Sequence, residues 1–222
     1  MQSIEVGSTL PRGVFITLEG PDGAGKSSQQ RLLVDRLAAT GREVVATREP
    51  GGTELGERIR GILLETATVR DPIVDALLFN AARRALVDEV IRPALARAAV
   101  VVCDRFADST LAYQGYGAGV PIADLESLAD VATAGLRPTR TVLLDLDVDD
   151  GLARRRGGPQ AELTRFETSD EHDREFHERV RNGFLALAAA DPGRWRIVDA
   201  SGPPDQVAVA VWDAVRDLFE VG

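Results

Sequence analysis

Val14-Phe15-Ile16-Thr17-Leu18-Glu19-Gly20-Pro21-Asp22-Gly23-Ala24-Gly25-Lys26-Ser27 is the stretch whose reading decides the fold. Val14 to Leu18 is a short apolar run that closes in Glu19-Gly20, the pattern of a buried strand. Lys26 to Thr40 carries Leu32, Leu33 and Leu37 at helical spacing and stops at Gly41. Between strand and helix, Gly20 to Ser27 fits G-x-x-x-x-G-K-[ST], and that context separates a phosphate-binding loop from a chance match. Glycines let backbone N–H groups curl around phosphate oxygens, and the helix start adds its dipole. Gly20, Pro21, Asp22, Gly23, Ala24, Gly25, Lys26, Ser27 and Ser28 are therefore the candidate ATP-binding residues. Lys26 would reach the β- and γ-phosphates, and the Ser27 hydroxyl would bind Mg²⁺. Among 26 lysines and arginines, Lys26 is the only lysine.

Outward from this loop the chain alternates. Val44 to Thr47, Ala99 to Cys103, Thr141 to Leu146 and Arg196 to Val198 read as further short apolar strands. Helical spacing recurs over Leu55 to Leu64, Ser109 to Gln114, Leu125 to Ala134, Asp149 to Arg156, Glu171 to Ala190 and Pro204 to Phe219. Pro72 to Ala98 reads as one long helical region, kinked or broken near Pro93. Strands separated by helices predict an α/β protein with a five-stranded parallel sheet covered on both faces. Ligands of such sheets bind beyond the carboxyl ends of the strands. A single domain over residues 1–222 is expected, with a core over 12–220 and an arginine-rich lid over 154–170. Asp145 and Asp147 read as structural strand-end carboxylates. Cys103 reads as an inert core thiol, and His172 and His177, in an acidic helix, as surface residues.

Composition narrows the class. The chain has 222 residues, 44% hydrophobic and 27% charged, enough for one core without staples. A single cysteine excludes an internal disulfide framework and a cysteine-rich zinc site. A net charge of -9 argues against a broad grip on nucleic acid. No apolar run is long enough to span a bilayer, and MQSIEVGSTLPRG lacks the order of a signal peptide, so a cytoplasmic protein is expected.

A phosphate loop leaves the acceptor open. A guanine-reading Asn-Lys-x-Asp pattern needs a second lysine, which this chain lacks. Arg154-Arg155-Arg156 and Arg165 lie in a glycine-containing segment that reads as a flap able to close over a transferring phosphoryl group. An alcohol acceptor usually wants a base, whereas a phosphate monoester, with a second pKa of about 6, is already a nucleophile at neutral pH. Few histidines and many arginines fit a nucleoside monophosphate kinase. A nucleotide-dependent switch or ATPase is the rival reading from another class.

Phe15-Ile16-Thr17-Leu18-Glu19-Gly20, Asp22-Gly23-Ala24-Gly25-Lys26-Ser27, Thr47-Arg48-Glu49-Pro50-Gly51-Gly52-Thr53, and Asp104-Arg105 followed by Ala112-Tyr113-Gln114-Gly115 together resemble bacterial thymidylate kinases, in order and spacing, from about Val14 to Phe219. The resemblance implies the P-loop kinase fold, transfer of the γ-phosphoryl group of ATP to dTMP with Mg²⁺, and a homodimer through the helices near Pro72 to Ala98 and Leu125 to Ala134. Neither nucleic acid nor membrane is implied as a partner. By the same resemblance Asp22 would hold the region of the deoxyribose 3′-hydroxyl, Phe79 would stack on thymine and Arg83 would bond a base carbonyl. Arg105 would grip the acceptor phosphate, with Arg48 and Asp104 also on the substrate side. Tyr113 would press where a 2′-hydroxyl would sit, and Thr110 and Gln114 would complete the contacts to the base. Glu49-Pro50 resembles a family turn with a cis bond. Asp104 could alternatively cap the following helix, and Phe79 and Tyr113 could be ordinary packing. Members of this family carry the catalytic arginine either in the phosphate loop or in the lid. Gly23 occupies the loop position here, so the lid would supply it, from Arg154, Arg156 or Arg165. A kinase for another deoxynucleotide remains the nearer alternative.

Overall fold

The computed structural model describes residues 13–64, 71–156 and 170–220, with the backbone alone for Arg155, Arg156 and residues 170–173. Five strands, β1 (Val14–Glu19), β2 (Val44–Arg48), β3 (Val100–Asp104), β4 (Arg140–Asp145) and β5 (Trp195–Asp199), form one sheet in the order β2-β3-β1-β4-β5. Every neighbouring pair is parallel, with Leu18 opposite Asp104 and Arg48 opposite Asp104 in register. The helices are α1 (Lys26–Ala38), α2 (Glu54–Leu64), α3 (Pro72–Leu86), α4 (Arg92–Ala96), α5 (Ala107–Thr110), α6 (Ile122–Thr133), α7 (Val148–Arg156), α8 (Asp170–Ala190) and α9 (Pro204–Asp213). None of the described helices is long and apolar enough to cross a membrane.

Side chains alternate across a strand, so each strand feeds two cores. Ile16, Leu18, Val102, Val142 and Leu144 pack under Leu33 and Leu37 of α1 and Val207 and Val211 of α9. On the other face Phe15, Val101 and Cys103 meet Leu86, Val87, Ile91 and Phe106, and Leu143 and Trp195 meet Val180 and Phe184 of α8. The Phe15 and Phe106 rings sit edge to face, 5.0 Å apart. Each fully buried residue of this kind contributes about 1.5–3 kcal/mol over exposure. Cys103 is buried, as expected of a core thiol.

One segment refines the sequence reading and one departs from it. The region from Pro72 stays helical to Ala96 but widens into a π turn at Val87–Ile91, just before Pro93. Arg92 N–H reaches back to the Val87 carbonyl, five residues away. Pro93 cannot donate to the carbonyl four positions earlier, Glu89, and its ring crowds that group, so the strain is relieved one turn upstream of the proline itself. His177 is buried, not on the surface. It shares the inward face of α8 with Val180 and Phe184, and its ring meets Phe176 edge on, 5.4 Å between centroids. The His172 side chain lies outside the described residues.

All five strands end in a charged residue at the carboxyl edge: Glu19, Arg48, Asp104, Asp145 and Asp199. Asp145 and Asp147 both pair with Arg181 of α8, and Asp149 with Arg174, so these carboxylates tie the end of β4 and the start of α7 to α8.

Candidate active site

Residues 20–25 leave β1 and deliver the chain to α1 through Gly25, which is left-handed at φ 86°. Lys26 folds back so that Nζ donates to the carbonyls of Gly20 (2.9 Å) and Pro21 (2.8 Å). Its pKa is pulled down to about 8, first by burial and then by the positive charge of Arg105. The Ser27 hydroxyl donates to Asp104 Oδ2 at 2.5 Å. Asp104 does not cap α5, whose N-terminal flank is Phe106 with no side-chain cap. A hydroxyl and a carboxylate this close, beside a phosphate loop, make a hard oxygen donor set that fits Mg²⁺. Among the described residues there is no group of three His, Cys, Asp or Glu suited to a metal.

The loop is closed from above by α7. A Cβ on Gly23, itself at φ 79°, would lie 2.3 Å from the Gly151 carbonyl oxygen. A Cβ on Gly151 would in turn lie 2.5 Å from the Asp22 carbonyl oxygen. Backbone meets backbone here, so no side chain, arginine included, fits at position 23 in this arrangement.

Beside the loop is a cavity of about 230 Å³ at the carboxyl edge of the sheet. Phe79 and Arg83, one helical turn apart on α3, form one wall; Glu49 and Pro50, joined by a cis bond as expected, form another. Arg105, Thr110, Tyr113 and Gln114 come from the chain after β3, and Asp22 from the phosphate loop. Tyr113 and Gln114 ride on a second π segment, Leu111–Gly117, in which Ala118 N–H bonds the Tyr113 carbonyl at 3.0 Å. Widened turns of this kind re-aim side chains and are frequent at functional sites.

Arg83 is the most enclosed cation among the described residues. Nε donates to Glu49 Oε2 (2.9 Å), Nη1 to Asn80 Oδ1 (2.8 Å), and Nη2 to the Phe106 carbonyl (3.2 Å) and Thr110 Oγ1 (3.0 Å). Burial raises the Glu49 carboxyl to about 7 against the downward pull of Arg83. Arg105 lies between the two halves of the site. Its guanidinium donates to the Asp22 carboxylate, to the Tyr113 hydroxyl (3.2 Å) and to Ser109 Oγ (3.3 Å). It also stands 4.9 Å over the Tyr113 ring. Burial works against the Arg105 charge, but the neighbouring acidic groups, Asp22 and Asp104 among them, outweigh it and hold the group cationic. Burial likewise pushes the Tyr113 phenol up, so it stays protonated.

Not every candidate is gathered here. Arg48 turns to Glu57 of α2, at 3.1 Å, and is exposed. Arg154 donates to the carbonyls of Ala200 (2.9 Å) and Ser201 (2.8 Å) in the turn after β5, not to the phosphate loop. Arg165 and the Arg156 side chain lie outside the described residues. Four participants were given no role by the sequence: Glu19, Ser109, Asn80 and Arg60, which lines the cavity and donates to the Pro50 carbonyl at 3.2 Å.

A family model described as "Thymidylate kinase" matches residues 18–211. The thymidylate kinase of Deinococcus radiodurans is 48% identical over 214 residues, covering 94% of this chain and 98% of that protein. That of Thermomicrobium roseum is 50% identical over 208 residues, covering 94% and 97%. The crystal structure of thymidylate kinase from Ehrlichia chaffeensis superposes with a TM-score of 0.75 at 34% identity, over 92% of this chain and 99% of that one.

Proposed function

The chain belongs to the thymidylate kinase family and phosphorylates dTMP to dTDP at the expense of ATP, and we propose how its residues divide that work. In the transfer, an oxygen of the dTMP phosphate bonds to the γ-phosphorus of ATP, the β–γ bridging bond breaks, and ADP leaves. The nucleophile needs no base, because a phosphate monoester is largely dianionic at neutral pH. Catalysis therefore rests on positioning and on neutralising charge.

Residues 20–28 cradle the ATP phosphates, with Lys26 as the cation nearest the transferred group. Its lowered pKa reflects a desolvated ammonium that polyphosphate charge would restore. Ser27 and Asp104 would hold Mg²⁺, which neutralises phosphate charge when bound. Arg105 grips the acceptor phosphate, and its bond to Asp22 places that carboxylate beside the sugar. Phe79 stacks on thymine. Arg83 reads a base carbonyl through the Nη1 hydrogen that is uncommitted among the described residues, with Thr110 and Gln114 beside it. Tyr113 fills the space of a 2′-hydroxyl. The lid supplies the last arginine, since position 23 admits no side chain. Arg154 is committed to the Ala200–Ser201 turn, which turns the choice toward Arg156 or Arg165, and Arg48 is paired with Glu57.

The observation that carries this reading is one cavity with an aromatic and a buried arginine at one side and Arg105, Asp22 and the phosphate loop at the other. Phe79→Ala tests it. Loss of base stacking, about 1–3 kcal/mol, raises KM for dTMP roughly 5- to 150-fold and leaves KM for ATP within about twofold. An equal rise in both constants would overturn the pocket assignment.

The protein is proposed to act in the cytoplasm as a homodimer. Val74 and Leu77 on α3 and Val131 on α6 are exposed, Val131 at 75%, on helices that pack side by side. Sedimentation of the wild type as a dimer, and of a Leu77→Glu, Val131→Glu variant as a monomer, is the expected outcome; a wild-type monomer refutes it.

A further inference from the structure

Glu19 is fully buried at the end of β1, on the same side of the strand as Phe15 and Thr17, and touches none of the reacting groups. Its Oε1 accepts from Phe106 N–H at 2.7 Å, and its Oε2 from the Ser109 hydroxyl at 2.5 Å. Phe106 follows Arg105 directly in the turn, and Ser109 lies on α5, which that turn leads into. Arg105 itself is left-handed, at φ 69°. For a residue with a Cβ that conformation is unfavourable and persists only where the surroundings hold it.

The Cys103 thiol donates to the Arg105 carbonyl at 3.0 Å, and the rest of the hold comes from two consecutive residues of β1. Arg105 N–H donates to the Leu18 carbonyl at 3.0 Å, and the next amide, Phe106 N–H, donates to the Glu19 side chain. Ser109 extends the clamp to the working end of the arginine, since its Oγ accepts from Arg105 Nη1 while donating to Glu19. We propose that Glu19 is a positioning residue: it fixes the left-handed turn at Arg105 and, through Ser109, the direction of the guanidinium that grips the acceptor phosphate. The proposal rests on Arg105 being that grip.

Glu19 makes no ion pair among the described residues. Its immediate partners are an amide and a hydroxyl rather than a cation. Burial, with the nearby negative charge of Asp108, raises its pKa to about 8. A carboxyl held at such a cost to ionisation is explained by what it holds in place.

The test compares binding of dTMP with binding of thymidine, which lacks the phosphate, by isothermal titration. The proteins are the wild type, Arg105→Ala, Glu19→Ala, Glu19→Gln and Ser109→Ala. In the wild type dTMP binds more tightly than thymidine. That advantage falls about tenfold or more in Arg105→Ala and Glu19→Ala, and by a smaller factor in Ser109→Ala, while thymidine binding stays within about twofold. Glu19→Gln keeps an acceptor for Phe106 N–H and retains most of the advantage. Equal weakening of both ligands in Glu19→Ala would mean a merely structural residue and overturn the proposal. So would an unchanged advantage in Glu19→Ala and Ser109→Ala while Arg105→Ala loses it. Full loss in Glu19→Gln would overturn the hydrogen-bond clamp in favour of charge alone. If Glu19→Ala does not fold, Glu19→Gln and Ser109→Ala still decide. An undiminished advantage in Arg105→Ala would instead refute Arg105 as the phosphate grip.

Discussion

Replacing Arg83 by methionine removes a guanidinium bonded to four groups: Glu49, Asn80, the Phe106 carbonyl and Thr110. Arg83 and Glu49 are both almost wholly enclosed, their side chains 1% and 3% exposed. Glu49 Oε1 already has no hydrogen-bond partner among the described residues. Breaking a buried pair from one side therefore leaves a carboxylate with nothing to answer it, at a cost of about 3–5 kcal/mol. For a chain of this size that lowers Tm by roughly 6–20 °C. The penalty depends on pH with a definite sign. Burial already holds Glu49 near 7 in the fold against 4.5 for the free group, and removing Arg83 leaves that upward push unopposed. The folded variant then binds a proton that the unfolded chain releases, so its stability falls as pH rises through this window. The loss is expected to be larger at pH 9 than at pH 6. Adding Glu49→Gln removes the orphaned charge and restores part of the stability, giving a coupling of about 2 kcal/mol between the two sites. Urea unfolding followed by fluorescence, with buried Trp195 as a core probe, reads all three quantities. Additive costs in the double variant, or a cost in Arg83→Met below about 1 kcal/mol, would refute the reasoning.

Other outcomes follow from the same geometry. Asp104→Asn weakens the oxygen pair with Ser27, so the Mg²⁺ concentration for half-maximal rate rises by about tenfold, which a Mg²⁺ titration at saturating ATP checks; no change removes Asp104 from the metal site. Gly23→Ala drives a Cβ onto the Gly151 carbonyl, and Gly23→Arg does so without supplying a usable arginine; both are expected to lose turnover in steady-state assays, and an active Gly23→Arg contradicts the packing. Glu19, raised to about 8 from 4.5 by burial and then by Asp108, makes wild-type stability decline as pH climbs from about 5 past 8. Glu19→Gln flattens that slope, as urea midpoints at pH 6 and 9 would show.

The sheet was legible because Val14 to Leu18, Ala99 to Cys103 and Thr141 to Leu146 are apolar runs bounded by charges and glycines, and buried parallel strands need nothing subtler. The phosphate loop was legible because its chemistry fixes residue types at fixed spacing. The π segments were not, since Val87–Ile91 and Leu111–Gly117 keep a helical apolar pattern and no residue type marks a bond to the fifth residue back. Pro93 did signal a break, but the strain acts on the carbonyl four positions earlier. His177 was misplaced by its acidic neighbours, although its spacing to Val180 and Phe184 puts it on the inner face. Glu19 and Glu49 stood within recognised motifs, but their partners were not legible because they lie far off in the chain; Glu19 is 87 residues from Phe106, and Glu49 is 34 from Arg83.

The central claim is that this cavity accepts thymidine monophosphate as the phosphoryl acceptor. The most direct measurement is ADP formation by the wild-type enzyme with Mg-ATP against a panel of deoxynucleoside and ribonucleoside monophosphates. Strong ADP formation with dTMP, much less with dUMP and near-background rates with ribonucleotides is the expected result. ADP formation that ignores the acceptor, or that favours another base, would contradict the account.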